Sequence, residues 1–77
     1  MIVRNMSTAL EAGERETNIR YDYATKKWYI STSVPRHRTR CRKAGYKCTC
    51  EYYYNGVLQI AEFETEKPSA ISFRKVT

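Results

Sequence analysis

Residues 46–65 read YKCTCEYYYNGVLQIAEFET, two strand-like runs on either side of the pair Asn55-Gly56. Both runs are rich in aromatic and apolar residues that alternate with polar ones, which is typical of strands with one buried face. Asn and Gly tolerate the positive φ angles of a two-residue type I′ turn. The segment therefore predicts a β-hairpin with strands at 46–54 and 57–65.

The turn also predicts the register of this hairpin. Pairing Tyr54 with Val57 places Cys50 opposite Ala61 and fixes which side chains share a face. The predicted core face consists of Tyr46, Cys48, Cys50, Tyr54, Val57, Ala61 and Phe63.

Residues 18–34, which precede this hairpin, form a second alternating segment. Two runs on either side of Thr25-Lys26 predict another hairpin. Its apolar side chains should share one side of the sheet; they are Ile19, Tyr21, Tyr23, Trp28, Ile30 and Val34. After Pro68, residues 70–76 predict a last strand.

The connector between the hairpins favours a short basic helix around 35–44. Pro35 suits a first helical position and Gly45 suits the position after a helix end. A weakly apolar stripe at helical spacing would face the sheet; it comprises Val34, His37, Cys41 and Ala44.

These elements predict an α+β protein that is mainly β. We expect an antiparallel sheet of about five strands, from two hairpins and the C-terminal strand, with the one helix. Its 77 residues suffice for a single domain. We expect residues 1–17 to be a flexible arm or a short helical turn and residues 18–77 to form the β-rich domain.

The charge of the chain is concentrated in one segment. The net charge is +6, and residues 35–47 hold six cations and no acid, while the rest of the chain is neutral. A focused cationic patch suits nucleic acid or a nucleoprotein, with exposed tyrosines to stack on bases; a solvated helix face or a protein contact is the alternative. The candidate binding residues are Arg36, Arg38, Arg40, Arg42, Lys43, Lys47, Tyr29 and Tyr53. Because a helix would leave its four arginines solvated, replacing all four by Ala should leave the fold intact.

His37 and the three cysteines are the candidate residues for metal binding, and His37 is also the candidate for catalysis. A zinc site would need His37, Cys41, Cys48 and Cys50 to converge, but their spacing is not that of standard zinc motifs, so buried thiols without metal are favoured. A small toxin-like ribonuclease would depend on His37, yet no carboxylate or phosphate-binding loop accompanies it. We expect no cofactor and no enzyme activity.

The composition of the chain also predicts where in the cell the protein is located. No run approaches the roughly twenty apolar residues of a membrane span, and no secretory signal pattern precedes the strands. Three cysteines cannot all pair within the chain. These features predict a cytoplasmic protein with reduced thiols and no membrane partner.

Two segments carry a resemblance to a known group. Residues 16–23 (ETNIRYDY) with 30–35 (ISTSVP), and the ending 71–75 (ISFRK), are similar to the start and end of very small uncharacterised proteins from phages and prophages of Gram-positive bacteria. The resemblance covers about a third of the chain. In that group the middle is a helix rich in Leu and Lys, whereas residues 38–42 here read RTRCR.

The resemblance implies an accessory protein that acts on host machinery in the bacterial cytoplasm. Anti-CRISPR proteins are the best-known class of this kind, so it implies a non-enzymatic inhibitor that binds a nucleoprotein such as a CRISPR effector complex. A basic inhibitor would contact guide RNA, target DNA or an acidic protein surface. A general nucleic-acid-binding β-module is the alternative.

Overall fold

A computed structural model describes residues 1–66 of the chain. They form one five-stranded sheet in the order β1-β4-β5-β3-β2. The elements are β1 (Ile2–Asn5), a 3-10 turn (Ala12–Glu14), β2 (Thr17–Asp22), β3 (Lys27–Thr32), α1 (Pro35–Lys43), β4 (Lys47–Tyr54) and β5 (Val57–Thr65). The prediction of a mainly β protein with one short basic helix is confirmed, but the sheet is mixed rather than purely antiparallel.

The mixed character comes from β1, which pairs with β4 in parallel, Ile2 opposite Cys50 and Arg4 opposite Tyr52. The amide of Met6 continues this pairing by donating to the carbonyl of Tyr53 at 2.7 Å. Part of the segment expected as an arm or helical turn is therefore an edge strand. The strand predicted at residues 70–76 lies outside the described residues, so β1 is the fifth strand seen here.

The hairpin between β4 and β5 turns at Asn55 and Gly56, whose φ angles are 49° and 79°. This confirms the predicted turn. The register matches the prediction at both ends, Tyr54 opposite Val57 and Lys47 opposite Glu64. In the middle the prediction is wrong by one residue.

Two irregularities cause the shift, one between Cys48 and Cys50 and one between Tyr52 and Tyr53. The first places an extra residue in β4, so that Cys50 lies opposite Glu62 and Glu51 opposite Ala61. A shift of one residue turns a side chain to the other face of a sheet. We call the side that carries α1 the helix face and the opposite side the far face; Glu51 is on the helix face and Cys50 on the far face.

The hairpin between β2 and β3 has the predicted faces, with Ile19 opposite Ile30 and Tyr21 opposite Trp28. Its turn is held by Asp22, whose carboxylate accepts the amide of Ala24 at 2.8 Å.

Helix α1 begins at Pro35 and is followed by Gly45, which has a φ of 78°. Two of the four predicted stripe residues, His37 and Cys41, are buried in it. The core lies between α1 and the sheet and consists of Ile30, Cys41, Ala61 and Phe63, with Ile19, Tyr46 and Cys48 packed against them.

Candidate nucleic-acid interface

The six cations of residues 35–47 lie in two different environments. Arg36, Arg40 and Lys43 are exposed, and the described part of the chain offers their side chains no ion pair or hydrogen bond. We call these three residues the helical cation row. The other three cations, Arg38, Arg42 and Lys47, contact other parts of the fold.

Arg38 is half-buried and serves the fold. Its guanidinium donates to the carbonyl oxygens of Ser33 at 3.0 Å and Gln59 at 3.2 Å. Lys47 lies 3.4 Å from the carboxylate of Glu64, which also meets Lys27 at 3.7 Å. Replacing all four arginines of α1 would therefore remove structural contacts together with surface charge, contrary to the expectation from the sequence.

Arg42 joins a hydrogen-bonded group around Glu51, whose side chain is only 11% exposed. The guanidinium of Arg42 donates to one carboxylate oxygen at 2.6 Å, and the hydroxyl of Tyr53 donates to the other at 3.0 Å. This second bond raises the pKa of Tyr53, because ionisation would remove the donated proton and place two anions side by side. The hydroxyl of Tyr53 is thus engaged within the fold and is not free to bind a ligand.

Tyr29 lies away from the cations of α1. It alternates with Trp28 and Ile30 in β3, so its ring is on the far face. There the guanidinium carbon of Arg20 lies 4.7 Å from the ring centroid, and the hydroxyl meets that of Thr25 at 3.2 Å. The predicted set of binding residues is therefore split between two faces of the sheet.

The orientation of α1 directs part of the helical cation row toward β2. Arg38 and Arg42 reach toward β5 and β4. At about 100° per residue, Arg36 and Arg40 lie on the opposite flank. That flank faces β2, where the ring of His37 also finds its partner, Thr17.

Three aromatic residues that the sequence predicted on one common side of the sheet lie on the helix face. Tyr21 and Tyr23 meet edge to face, with ring centroids 4.8 Å apart and planes at 84°. Tyr21 also packs on Trp28 at 5.1 Å. Tyr23 is 84% exposed. We call these three residues the aromatic cluster; Tyr23 follows the last paired residue of β2, which the sequence alone did not indicate.

The residues considered for metal do not come together. Cys41 is in the core, Cys48 is half-buried beside it on the helix face, and Cys50 is buried on the far face. Within residues 1–66 no group of three or more His, Cys, Asp or Glu is arranged to hold a metal ion. Burial raises the pKa of the Cys41 thiol to about 11, so this group is a poor thiolate ligand.

His37 is buried and belongs to a chain of hydrogen bonds. Its Nδ1 lies 2.7 Å from the hydroxyl of Thr17, which lies 2.7 Å from that of Thr32, and Thr32 accepts the amide of Val34. Burial lowers the pKa of His37, and the positive charges of Arg36 and Arg40 lower it further. The neutral ring is therefore the stable form near neutral pH.

Comparison of the chain with family models, with curated proteins and with solved structures found no match. None of the helices in residues 1–66 has the length and apolar character needed to cross a membrane. Within residues 1–66, the helical cation row and the aromatic cluster are the two surface features that indicate a function.

Proposed function

We propose that this protein is a non-enzymatic binding protein whose helical cation row contacts the phosphates of a nucleic acid, and that its target is a nucleoprotein. The observation that carries the proposal is the exposure of Arg36, Arg40 and Lys43 on one helix without acidic partners among residues 1–66. Other cations of the basic segment are paired within the fold. Exposed, unpaired arginines are the residues that bind phosphate most readily.

Binding is favoured over catalysis by the position of His37. A ribonuclease mechanism would need an accessible imidazole, whereas this ring is 8% exposed and Nδ1 is engaged by Thr17. The phage resemblance of the strand segments extends the proposal to an inhibitor of the anti-CRISPR type. Binding to free nucleic acid as a general β-module is the second candidate, and the same cations favour it.

The test compares two variants that each remove two positive charges. Arg36→Ala/Arg40→Ala alters the helical cation row, and Arg4→Ala/Arg15→Ala removes exposed arginines elsewhere. Fluorescence anisotropy with labelled RNA and DNA, alone and within an RNA-guided nuclease complex, would give affinity as a function of salt. We expect the first variant to lower the salt slope by about two units, at about one unit per lost phosphate contact, and the control to keep the parent slope.

Tighter binding to the nuclease complex than to free nucleic acid, with loss of its activity, would support the inhibitor. Equal affinity for both would support the general β-module instead. If the two variants bind alike with unchanged slopes, the helical cation row is not the binding surface and the proposal fails.

A further inference from the structure

We infer that the nucleic acid bound by this surface is single-stranded, with one base stacked on Tyr23 while the helical cation row holds the phosphates. The inference rests on the proposed function and narrows its ligand.

The first argument is the exposed ring of Tyr23. At 84% exposure and nearly perpendicular to Tyr21, the ring keeps at least one face open to solvent. Large aromatic rings are normally covered, and Tyr21 and Trp28 behind it are half-buried. Together the three rings form a supported platform rather than a loose side chain.

The second argument is the position of this platform relative to the cations. His37, in the first turn of α1, contacts Thr17, while Gly45, two residues beyond the end of α1, lies with Lys27 and Thr65 in one surface depression. Thus α1 runs along the sheet from the level of Thr17 to the level of Trp28, which pairs with Thr65. The helical cation row and the aromatic cluster therefore lie on the same face of the sheet, on the side of β2 and β3.

The length of the surface fits a short strand. From Thr17 to Tyr23 the chain advances by about 20 Å, at about 3.4 Å per residue. At about 3.4 Å per stacked nucleotide this length corresponds to about six nucleotides, within the range of about 4–16 nucleotides covered by single-strand-binding OB folds.

The choice of a single strand follows from what each nucleic acid exposes. In a duplex the faces of the bases are stacked on each other, so a protein meets only base edges and backbone. In a single strand the faces are free, and stacking on an aromatic ring is favourable for every base. A cationic helix alone would bind either form, so the aromatic cluster is what selects the single strand.

The experiment uses the fluorescence of Trp28, the only tryptophan of the chain. A ten-nucleotide single strand and a duplex of the same sequence are titrated into the parent, Tyr23→Ala and Tyr23→Phe. We expect the parent to prefer the single strand with a change in Trp28 emission. Tyr23→Ala should bind it about tenfold more weakly at an unchanged salt slope, and Tyr23→Phe, which keeps the ring, should bind like the parent.

The outcomes separate this inference from the proposed function. If Tyr23→Ala binds the single strand as tightly as the parent, or the duplex binds equally well, the single-strand inference is overturned. The proposed function survives that result provided that Arg36→Ala/Arg40→Ala still lowers the salt slope. If no nucleic acid binds the parent, free or in a complex, the single-strand inference and the proposed function are both contradicted.

Discussion

His37 shows at the level of one residue how the fold and the cationic surface affect each other. Its ring is buried against Thr17 on one side and lies near Arg36 and Arg40 on the other. Burial and the two guanidinium groups all oppose a further positive charge. The residue therefore couples the acid stability of the fold to the charge of the surface above it.

We predict that the free energy of unfolding decreases on acidification because of His37. Its pKa in the folded protein lies below the ordinary value of 6.5, so the unfolded chain binds more protons. The contribution of this group is complete above pH 6.5 and is lost as the pH falls toward the lower folded pKa. Urea unfolding between pH 7.5 and 5.5 measures it, and His37→Gln should flatten the profile.

The predicted direction, a lower free energy of unfolding at lower pH, can be contradicted by experiment. Greater stability at pH 5.5 than at pH 7.5 in the parent, absent from His37→Gln, would mean that the folded state favours the imidazolium. Because the chain has one histidine, NMR titration of that ring reads the pKa directly.

The turns after α1 and after β4 each need a glycine because of its backbone φ angle, and not because space for a side chain is lacking. Gly45 and Gly56 have φ angles of 78° and 79°, and a Cβ atom at either position would meet no atom within 4 Å. An L-residue is strained at such angles whatever the space around it.

We predict that Gly45→Ala and Gly56→Ala each lower the free energy of unfolding by about 1 kcal/mol. Gly13→Ala is the matched control, because this glycine also has open space around it but no positive φ. It should be neutral or slightly stabilising in urea unfolding. Equal losses in all three variants would show that the turns do not depend on left-handed backbone angles.

The turns also explain which elements could be predicted from the sequence. Asn55-Gly56 and the alternation around Thr25-Lys26 are local signals, so both hairpins were predicted correctly, together with the outer register of the hairpin at Asn55-Gly56. The irregularity near Thr49 has no local signal. It turns Glu51 toward Arg42 of α1, nine residues earlier in the chain, and the alternation of β4 does not indicate this contact.

The candidate site was predicted less completely, for the same reason. The charge of residues 35–47 could be read directly, but the pattern could not show that Arg38 and Arg42 reach across to β5 and β4 while Arg36 and Arg40 remain free. Nor could alternation separate the half-buried Tyr21 from the exposed Tyr23, since both follow the same period of two in the sequence although β2 ends at Asp22.

At the scale of the whole molecule, the strand order places β5 at the centre of the sheet and β1 and β2 at its edges. Ala61 and Phe63 of β5 are 0% and 1% exposed, whereas all four residues of β1 are exposed. Protection should therefore be graded across the sheet, since local opening is easiest where few apolar contacts are lost.

We predict that the amides of β5 exchange with solvent most slowly, in step with global unfolding, and that those of β1 exchange much faster. Hydrogen exchange measured by NMR gives both rates in one experiment, and β3 serves as an internal reference. If β1 exchanged as slowly as β5, the edge strand would belong to the cooperative core.

The parallel pairing of β1 with β4 has a consequence for biosynthesis. Ile2 pairs with Cys50, so β1 has no partner until the 48 residues from Val3 to Cys50 have been translated. At about 5–20 residues per second, this delay is about 2–10 s. Until β4 has been made and has left the ribosome, the apolar residues Ile2 and Val3 have no strand to pair with, and once they emerge they are accessible to ribosome-associated chaperones.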